Sequence, residues 1–263
     1  MDAKERRLRI EERVIATGEV QFATLAAEFD VSEMTIRRDI EMLRDAGIVR
    51  RVSGGAIALG GTAFEPSYGL RAGLAVVEKM HIAERVADLL VPGETVALDG
   101  GSTVAAVARA IRGRNLRLTI VTPSLLVATA LADEEGTTIV LTGGRVRPGE
   151  MSLIGPDAEE SFARYNCDTF VIGVAGVDAT RGLTEYHPQE ASVKRAAIAA
   201  SSRVIVGADA AKLGRVHLVN IAPLSCVSAL VTDGSSDDPV VRAASRAGAD
   251  VVLVPPADRA REA

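Results

Sequence analysis

In the run Val31-Ser32-Glu33-Met34-Thr35-Ile36-Arg37-Arg38-Asp39-Ile40 two kinds of position alternate. Ile36 and Ile40, continued by Leu43, recur at helical spacing and make one apolar stripe. Glu33, Thr35, Arg37, Arg38 and Glu41 fall away from it. Ser32 stands where its hydroxyl can accept from a free N–H of the first turn and cap the helix. A buried face opposite a face of short polar side chains and arginines is the layout of a helix that lies in the major groove of DNA. The run therefore reads as the second helix of a helix-turn-helix.

The neighbouring sequence fits that reading. Residues 4–17 carry Leu8, Ile10, Val14 and Ile15 at loosely helical spacing, and Gly18 ends the segment. Phe22, Leu25, Ala26 and Phe29 make a second, short helix, and Asp30-Val31 turns into the third, which Gly47 closes. Residues 48–52 read as a strand, Ser53-Gly54-Gly55 as a turn and residues 56–59 as a return strand. Three helices followed by a hairpin predict a winged helix-turn-helix over residues 1–59. In that geometry Arg50, Arg51 and the tip at Gly54 would meet the phosphate backbone, which positions a recognition helix without reading bases. The expected DNA-facing set is Ser32, Glu33, Met34, Thr35, Arg37, Arg38, Arg50, Arg51 and Gly54.

Bulk composition sets the outer bounds. The chain has 263 residues, room for two domains. Hydrophobic residues make up 48% and aromatic ones 3%, so the core is aliphatic. The formal net charge is −5, without the basic excess usual for a nucleic-acid binder, and residues 1–59 carry 10 Lys and Arg against 11 Asp and Glu. Local placement of the arginines has to do the work, because salt confines charge effects to roughly 10 Å. Cys167 and Cys226 match no metal spacing and sit among apolar residues, as packing thiols of a reducing compartment do. No early run resembles a signal peptide and no apolar stretch is long enough for a bilayer, so a cytoplasmic location is expected.

Residues 60–72 read as a linker, rich in Gly early and closing near Pro66 and Arg71. From residue 73 to 257 short aliphatic runs alternate with helical segments, the pattern of an α/β unit with a mostly parallel sheet covered on both faces. Residues 258–263 are a polar tail. In such a sheet ligands bind beyond the carboxyl ends of the strands. The loop Asp99-Gly100-Gly101-Ser102-Thr103 is the most suggestive there: a strand ends, two glycines follow, and two hydroxyls open a helix, which suits an anion such as phosphate. It lacks the Walker lysine and the dinucleotide glycine spacing, so a nucleotide is disfavoured. Asp209 and Lys212 follow another strand and could meet the same ligand. Glu190 and Lys194 stand four apart, the spacing of a surface ion pair. His187 precedes Pro188 and has no nearby histidine. No metal cluster, cofactor motif or catalytic constellation emerges.

These residues resemble the DeoR/GlpR family of bacterial transcriptional regulators. The N-terminal signature is carried by Arg6, Ile10, Val14, Ser32, Thr35, Ile36, Arg37, Arg38, Asp39 and Ile40, and continues through Leu43, Gly47, Arg51 and Gly54-Gly55. Glu78-Lys79, the 99–103 loop, Thr122, Thr142-Gly143-Gly144, Gly155, Gly182-Leu183-Thr184, Lys194 and Asp209–Gly214 resemble the sensor half. The resemblance implies a fold similar to ribose-5-phosphate isomerases and CoA-transferases. It also implies operator DNA as partner, homo-oligomers, and release by a phosphorylated sugar. Effector contacts are implied at Asp99, Gly100, Gly101, Ser102, Thr103, Thr122, Asp178, Glu185, Lys194, Asp209 and Lys212. The chain departs from the family at Pro123, where an asparagine is usual, and at Ala211, where a serine is usual. The alternative is an isomerase-like enzyme. An approximate alignment puts Val193 where those isomerases carry their catalytic glutamate, and valine cannot abstract a proton.

Overall fold

The computed structural model describes residues 1–62 and 64–256. Contacts divide the chain into two units, Met1–Leu74 and Ala75–Ala263. The tail expected at 258–263 lies outside the described residues.

In the first unit α1 (Ala3–Thr17) starts behind Asp2, whose Oδ1 accepts from the N–H groups of Lys4 and Glu5, and stops at Gly18 in the left-handed region. Then come β1 (Glu19–Gln21), α2 (Phe22–Glu28) and α3 (Glu33–Asp45). Ser32 caps α3, its Oγ accepting from Thr35 N at 3.2 Å. After α3 the chain turns through Gly47 (φ 74°) into the hairpin of β2 (Val49–Val52) and β3 (Gly55–Ala58). Strand β1 pairs with β3 and completes a sheet of order β1-β3-β2. Three residues are too few to show a period-2 pattern, so β1 leaves no mark in the sequence. A Cβ on Gly55 would lie 2.1 Å from the Val20 carbonyl oxygen, so only glycine lets β3 approach β1 there.

Ile10, Val14, Phe22, Leu25, Ile36, Ile40, Leu43 and Val49 form one buried cluster in this unit. Full burial of each large apolar side chain stabilises by roughly 1.5–3 kcal/mol. One ion pair crosses it. Arg6 Nε donates to Asp39 Oδ2 at 2.7 Å and Arg7 donates to Asp39 Oδ1 at 3.3 Å, with Asp39 only 3% exposed. Two of the charged signature residues, Arg6 and Asp39, thus join α1 to the buried side of α3, and neither faces outward.

The stretch 60–72, linker-like in composition, contains a helix, α4 (Tyr68–Gly73). Ser67 caps it, and the buried Glu11 of α1 accepts from both Ser67 N (2.7 Å) and Ser67 Oγ (2.6 Å). Small and polar residues there serve a helix cap, which composition does not separate from a free tether.

The second unit contains α5 (Val76–Asp88), β4 (Thr95–Leu98), α6 (Ser102–Ile111), β5 (Thr119–Thr122), α7 (Leu125–Leu131), β6 (Thr138–Leu141), β7 (Arg145–Arg147), β8 (Ser152–Ile154), α8 (Pro156–Phe162), β9 (Cys167–Gly173), β10 (Gly176–Asp178), β11 (Gly182–Glu185), α9 (Pro188–Ala199), β12 (Ser201–Gly207), β13 (Val219–Ala222), β14 (Ala229–Thr232), α10 (Pro239–Arg246) and β15 (Asp250–Leu253). Seven parallel strands run in the order β15-β14-β12-β9-β4-β5-β6. One apolar cluster contains Ile82, Val86, Val107, Ile111 and Val127 from α5, α6 and α7; another contains Phe162, Val193, Ala197, Val240 and Ala244 from α8, α9 and α10. The sheet is therefore covered on both faces, as its continuous aliphatic strands require. Two antiparallel pieces were not foreseen: the β7–β8 hairpin and the sheet β10-β11-β13. From β4 the chain builds outward through β5 and β6, then returns to place β9 on the other side of β4. The loops after β4 and β9 diverge at this switch point, where a crevice is expected.

Asp39→Ala leaves a buried guanidinium without its carboxylate and should destabilise the first unit by about 3 kcal/mol. Arg9→Ala, which removes an exposed pair with Glu5, should change stability by under about 0.5 kcal/mol. Urea unfolding of both variants checks the contrast.

Candidate functional site

On α3 the polar residues divide by exposure. Met34 is 60% exposed, and Ser32, Glu33 and Arg38 are exposed with it, while Thr35 and Arg37 are half-buried. Ser32 and Thr35 share a hydroxyl contact at 3.0 Å. Arg37 donates to Glu33 Oε2 at 3.1 Å, and Arg51 donates to Glu41 Oε1 at 3.2 Å. Arg50, Arg51 and Gly54 all lie on the exposed hairpin, with Gly54 at φ 78° in its turn. The expected DNA-facing set is thus gathered on one helix and the wing beside it.

In the second unit the glycine loop leaves β4 at the switch point. Gly101 has φ 88°, a left-handed backbone that glycine tolerates, and it directs the chain into α6. An added Cβ on Gly100 would lie 3.7 Å from Ser152 Cβ and 4.0 Å from Ser124 Cβ, so both serines flank the loop. Ser102 and Thr103 are buried in the first turn of α6. Lys212 Nζ lies 3.4 Å from Thr103 Oγ1 and 3.7 Å from Asp209 Oδ2. Asp233, which the sequence did not single out, holds this segment: its Oδ1 accepts from Ala210 N at 2.7 Å, and burial pushes its carboxyl above the usual range.

Lys194 overturns the expected surface ion pair with Glu190. It is 5% exposed and its ammonium touches the Asp99 carboxylate, the Gly173 carbonyl (2.7 Å) and Glu185 Oε2 (3.2 Å). Each of its three donors has an acceptor. Burial opposes the charge, but Asp99, Glu185 and Glu190 outweigh that cost, so the ammonium is held well above its ordinary pKa. Asp99 also accepts from Gly173 N at 3.1 Å. Lys194, Asp99 and Glu185 therefore tie the ends of β4, β9 and β11 to α9. The i,i+4 spacing gave the wrong partner because α9 packs this face against the sheet.

Glu190 has other partners. It accepts from Ser152 Oγ at 2.6 Å and pairs with Arg147 at 3.0 Å, which fastens the β7–β8 hairpin over the glycine loop. His187, at the cap position of α9, is half-buried; burial and then Arg147 lower its pKa. Two expected contacts have local work. Asp178 Oδ1 accepts from Thr180 N and Arg181 N, capping the β10–β11 turn. Thr122 is fully buried and its Oγ1 accepts from Ser124 N at 3.1 Å. Arg147 and Ser152 leave no signal in the sequence because the strands of their hairpin are only three residues each, and Glu190 reads there only as a partner of Lys194. Cys167 is buried, Cys226 is half-buried, and burial raises both thiols.

Chemically, the loop offers backbone N–H groups, hydroxyls and Lys212 to an anion, at the electropositive start of α6. No helix among the described residues is long and apolar enough to cross a membrane.

Comparison with known proteins follows this division. Residues 6–60 match the DeoR-like helix-turn-helix domain, and residues 75–234 match the DeoR C terminal sensor domain. The HTH-type transcriptional regulator GlpR of Haloferax volcanii is 33% identical over 94% of this chain and 96% of its own length. The glycerol-3-phosphate regulon repressor of Escherichia coli K12 is 34% identical over 84% of this chain and 87% of its own. The structure of ribose 5-phosphate isomerase A from Methanocaldococcus jannaschii overlaps 51% of this chain and 53% of its own, at 18% identity and a TM-score of 0.39.

Lys194→Met removes the cation from two buried carboxylates and should cost the second unit about 3–5 kcal/mol at neutral pH. In the variant the buried Asp99 carboxyl, which burial already pushes up, loses the ammonium that opposes that push, so its folded pKa lies above the unfolded one. Stability is then lost as pH rises, and the deficit should be smaller near roughly pH 5 than near roughly pH 8. Urea titrations at the two pH values measure it.

Proposed function

The chain belongs to the DeoR family of transcriptional regulators, and from that premise we propose that it is a repressor of a carbohydrate operon released by a phosphorylated sugar or polyol. The observation that carries the effector half is the glycine loop at the switch point, opening α6 beside Ser124, Ser152 and Lys212. Its N–H groups and hydroxyls take the phosphate, Lys212 adds a point charge, and Asp209 accepts from a hydroxyl of the same ligand. Lys194, Asp99 and Glu185 hold the loops in register. A relative named for a glycerol-3-phosphate regulon supports a small phosphorylated ligand.

The DNA half follows from α3 and the wing. Ser32, Glu33, Met34, Thr35, Arg37 and Arg38 enter a major groove, and Arg50, Arg51 and Gly54 lie along the backbone. A homo-oligomer places two such helices in successive grooves of a repeated operator. The effector weakens DNA binding by favouring a state in which the two helices no longer match that repeat, which requires different affinity for the two states. An isomerase reading meets Val193, aliphatic and buried where a base is needed.

A thermal-shift panel of phosphorylated sugars identifies ligands, and a duplex selected by the protein from a random library serves as operator. With a ligand from the panel, Lys212→Ala should keep wild-type affinity for the duplex and lose release. Release unchanged in the variant would place the ligand elsewhere.

A further inference from the structure

The two arginine pairs, Arg37-Arg38 and Arg50-Arg51, are each split by their surroundings. Phe22 is 1% exposed, yet two guanidinium groups lie over its ring. That of Arg37, from α3, is 5.0 Å from the ring centroid, and that of Arg51, from the wing strand β2, is 5.8 Å. Both are within the reach of about 6 Å at which a cation is drawn to an aromatic face. Each guanidinium is held a second time by a carboxylate of α3, Arg37 by Glu33 and Arg51 by Glu41. The Phe22 N–H in turn donates to the carbonyl of Gly54 at the wing turn, 2.9 Å away. One aromatic residue therefore touches the recognition helix through Arg37, the wing strand through Arg51 and the wing turn through its own backbone.

Arg38 and Arg50 differ. Both side chains are exposed, and neither has an ion-pair or ring partner among the described residues. We propose that Arg37 and Arg51 are positioning residues which clamp wing to recognition helix across Phe22, while Arg38 and Arg50 carry the charge that DNA neutralises. This rests on the DNA-binding reading above and divides its residues into two roles. A planar guanidinium is needed for the clamp, because it can stack on a ring and meet a carboxylate at its edge at once, which a lysine ammonium cannot. Holding the wing in place before DNA arrives removes an ordering cost from binding.

The salt dependence of binding separates the roles. Each neutralised phosphate contributes about 0.9 to the slope of log affinity against log salt. With the full-length protein and a duplex selected by the wild type, Arg38→Ala and Arg50→Ala should each reduce that slope by about one such unit. Phe22→Leu and Arg37→Lys keep every cation, so they should leave the slope unchanged while affinity falls roughly tenfold at all salt concentrations through lost preorganisation. In the same two variants amide hydrogen exchange across Val49–Ala58 should accelerate without DNA present. The proposal is overturned if Phe22→Leu and Arg37→Lys bind and exchange like wild type, or if Arg37→Ala lowers the slope as Arg38→Ala does. Failure to select any duplex would count against the DNA-binding reading, and the exchange rates would still decide whether the clamp exists.

Discussion

A single ammonium group sits where the seven-stranded sheet changes direction. Lys194 reaches the end of β4 through Asp99, the end of β9 through the Gly173 carbonyl and the end of β11 through Glu185. An unpaired charge at that depth would be prohibitively costly, and two unpaired carboxylates more so. The loops that leave β4 and β9 are thereby fixed to one another, and the position of the glycine loop follows from that constraint. The first unit has a smaller counterpart in Arg6 and Asp39, which fix α3 to α1. In both units a buried ion pair supplies register.

The parts of the fold that could be read from sequence are those with a long enough period. Helix α3 shows its stripe over two turns, and the parallel strands show as aliphatic runs between helices, so both are legible. What escaped is short or depends on distant partners. β1 has three residues, and the β7–β8 hairpin has three in each strand. Helix α4 is ordered by Glu11, 56 residues away from Ser67. The site shows the same division. Glycines and hydroxyls at residues 99–103 are legible, because a strand-to-helix turn is local. The true partners of Lys194 lie 95 residues away at Asp99 and in the preceding hairpin at Glu185, and no local spacing rule reaches them. The ring contact of Arg37 with Phe22, fifteen residues away, is likewise beyond any local spacing rule.

Energetically the two halves ask for different things. The DNA face needs cations that stay hydrated and ready, which explains exposed arginines in a chain of net charge −5. The sensor face needs a rigid cradle whose occupancy changes a balance between states. A shift from 99:1 to 1:99 calls for about 5.5 kcal/mol of differential binding, within the range of several charge-assisted hydrogen bonds made in one state and not in the other. In the proposed function a phosphate on the N–H groups of residues 100–103 adds contacts of that kind that the uncharged parent sugar lacks.

That difference gives the most direct test. Fluorescence anisotropy of the selected duplex bound to the wild-type protein should be followed while matched pairs of compounds, each a sugar or polyol and its phosphate ester, are titrated in. At least one phosphate ester should release the duplex at concentrations where its unphosphorylated parent leaves the complex intact. Release by the parent at the same concentration as its ester would contradict the phosphate cradle on which the account rests.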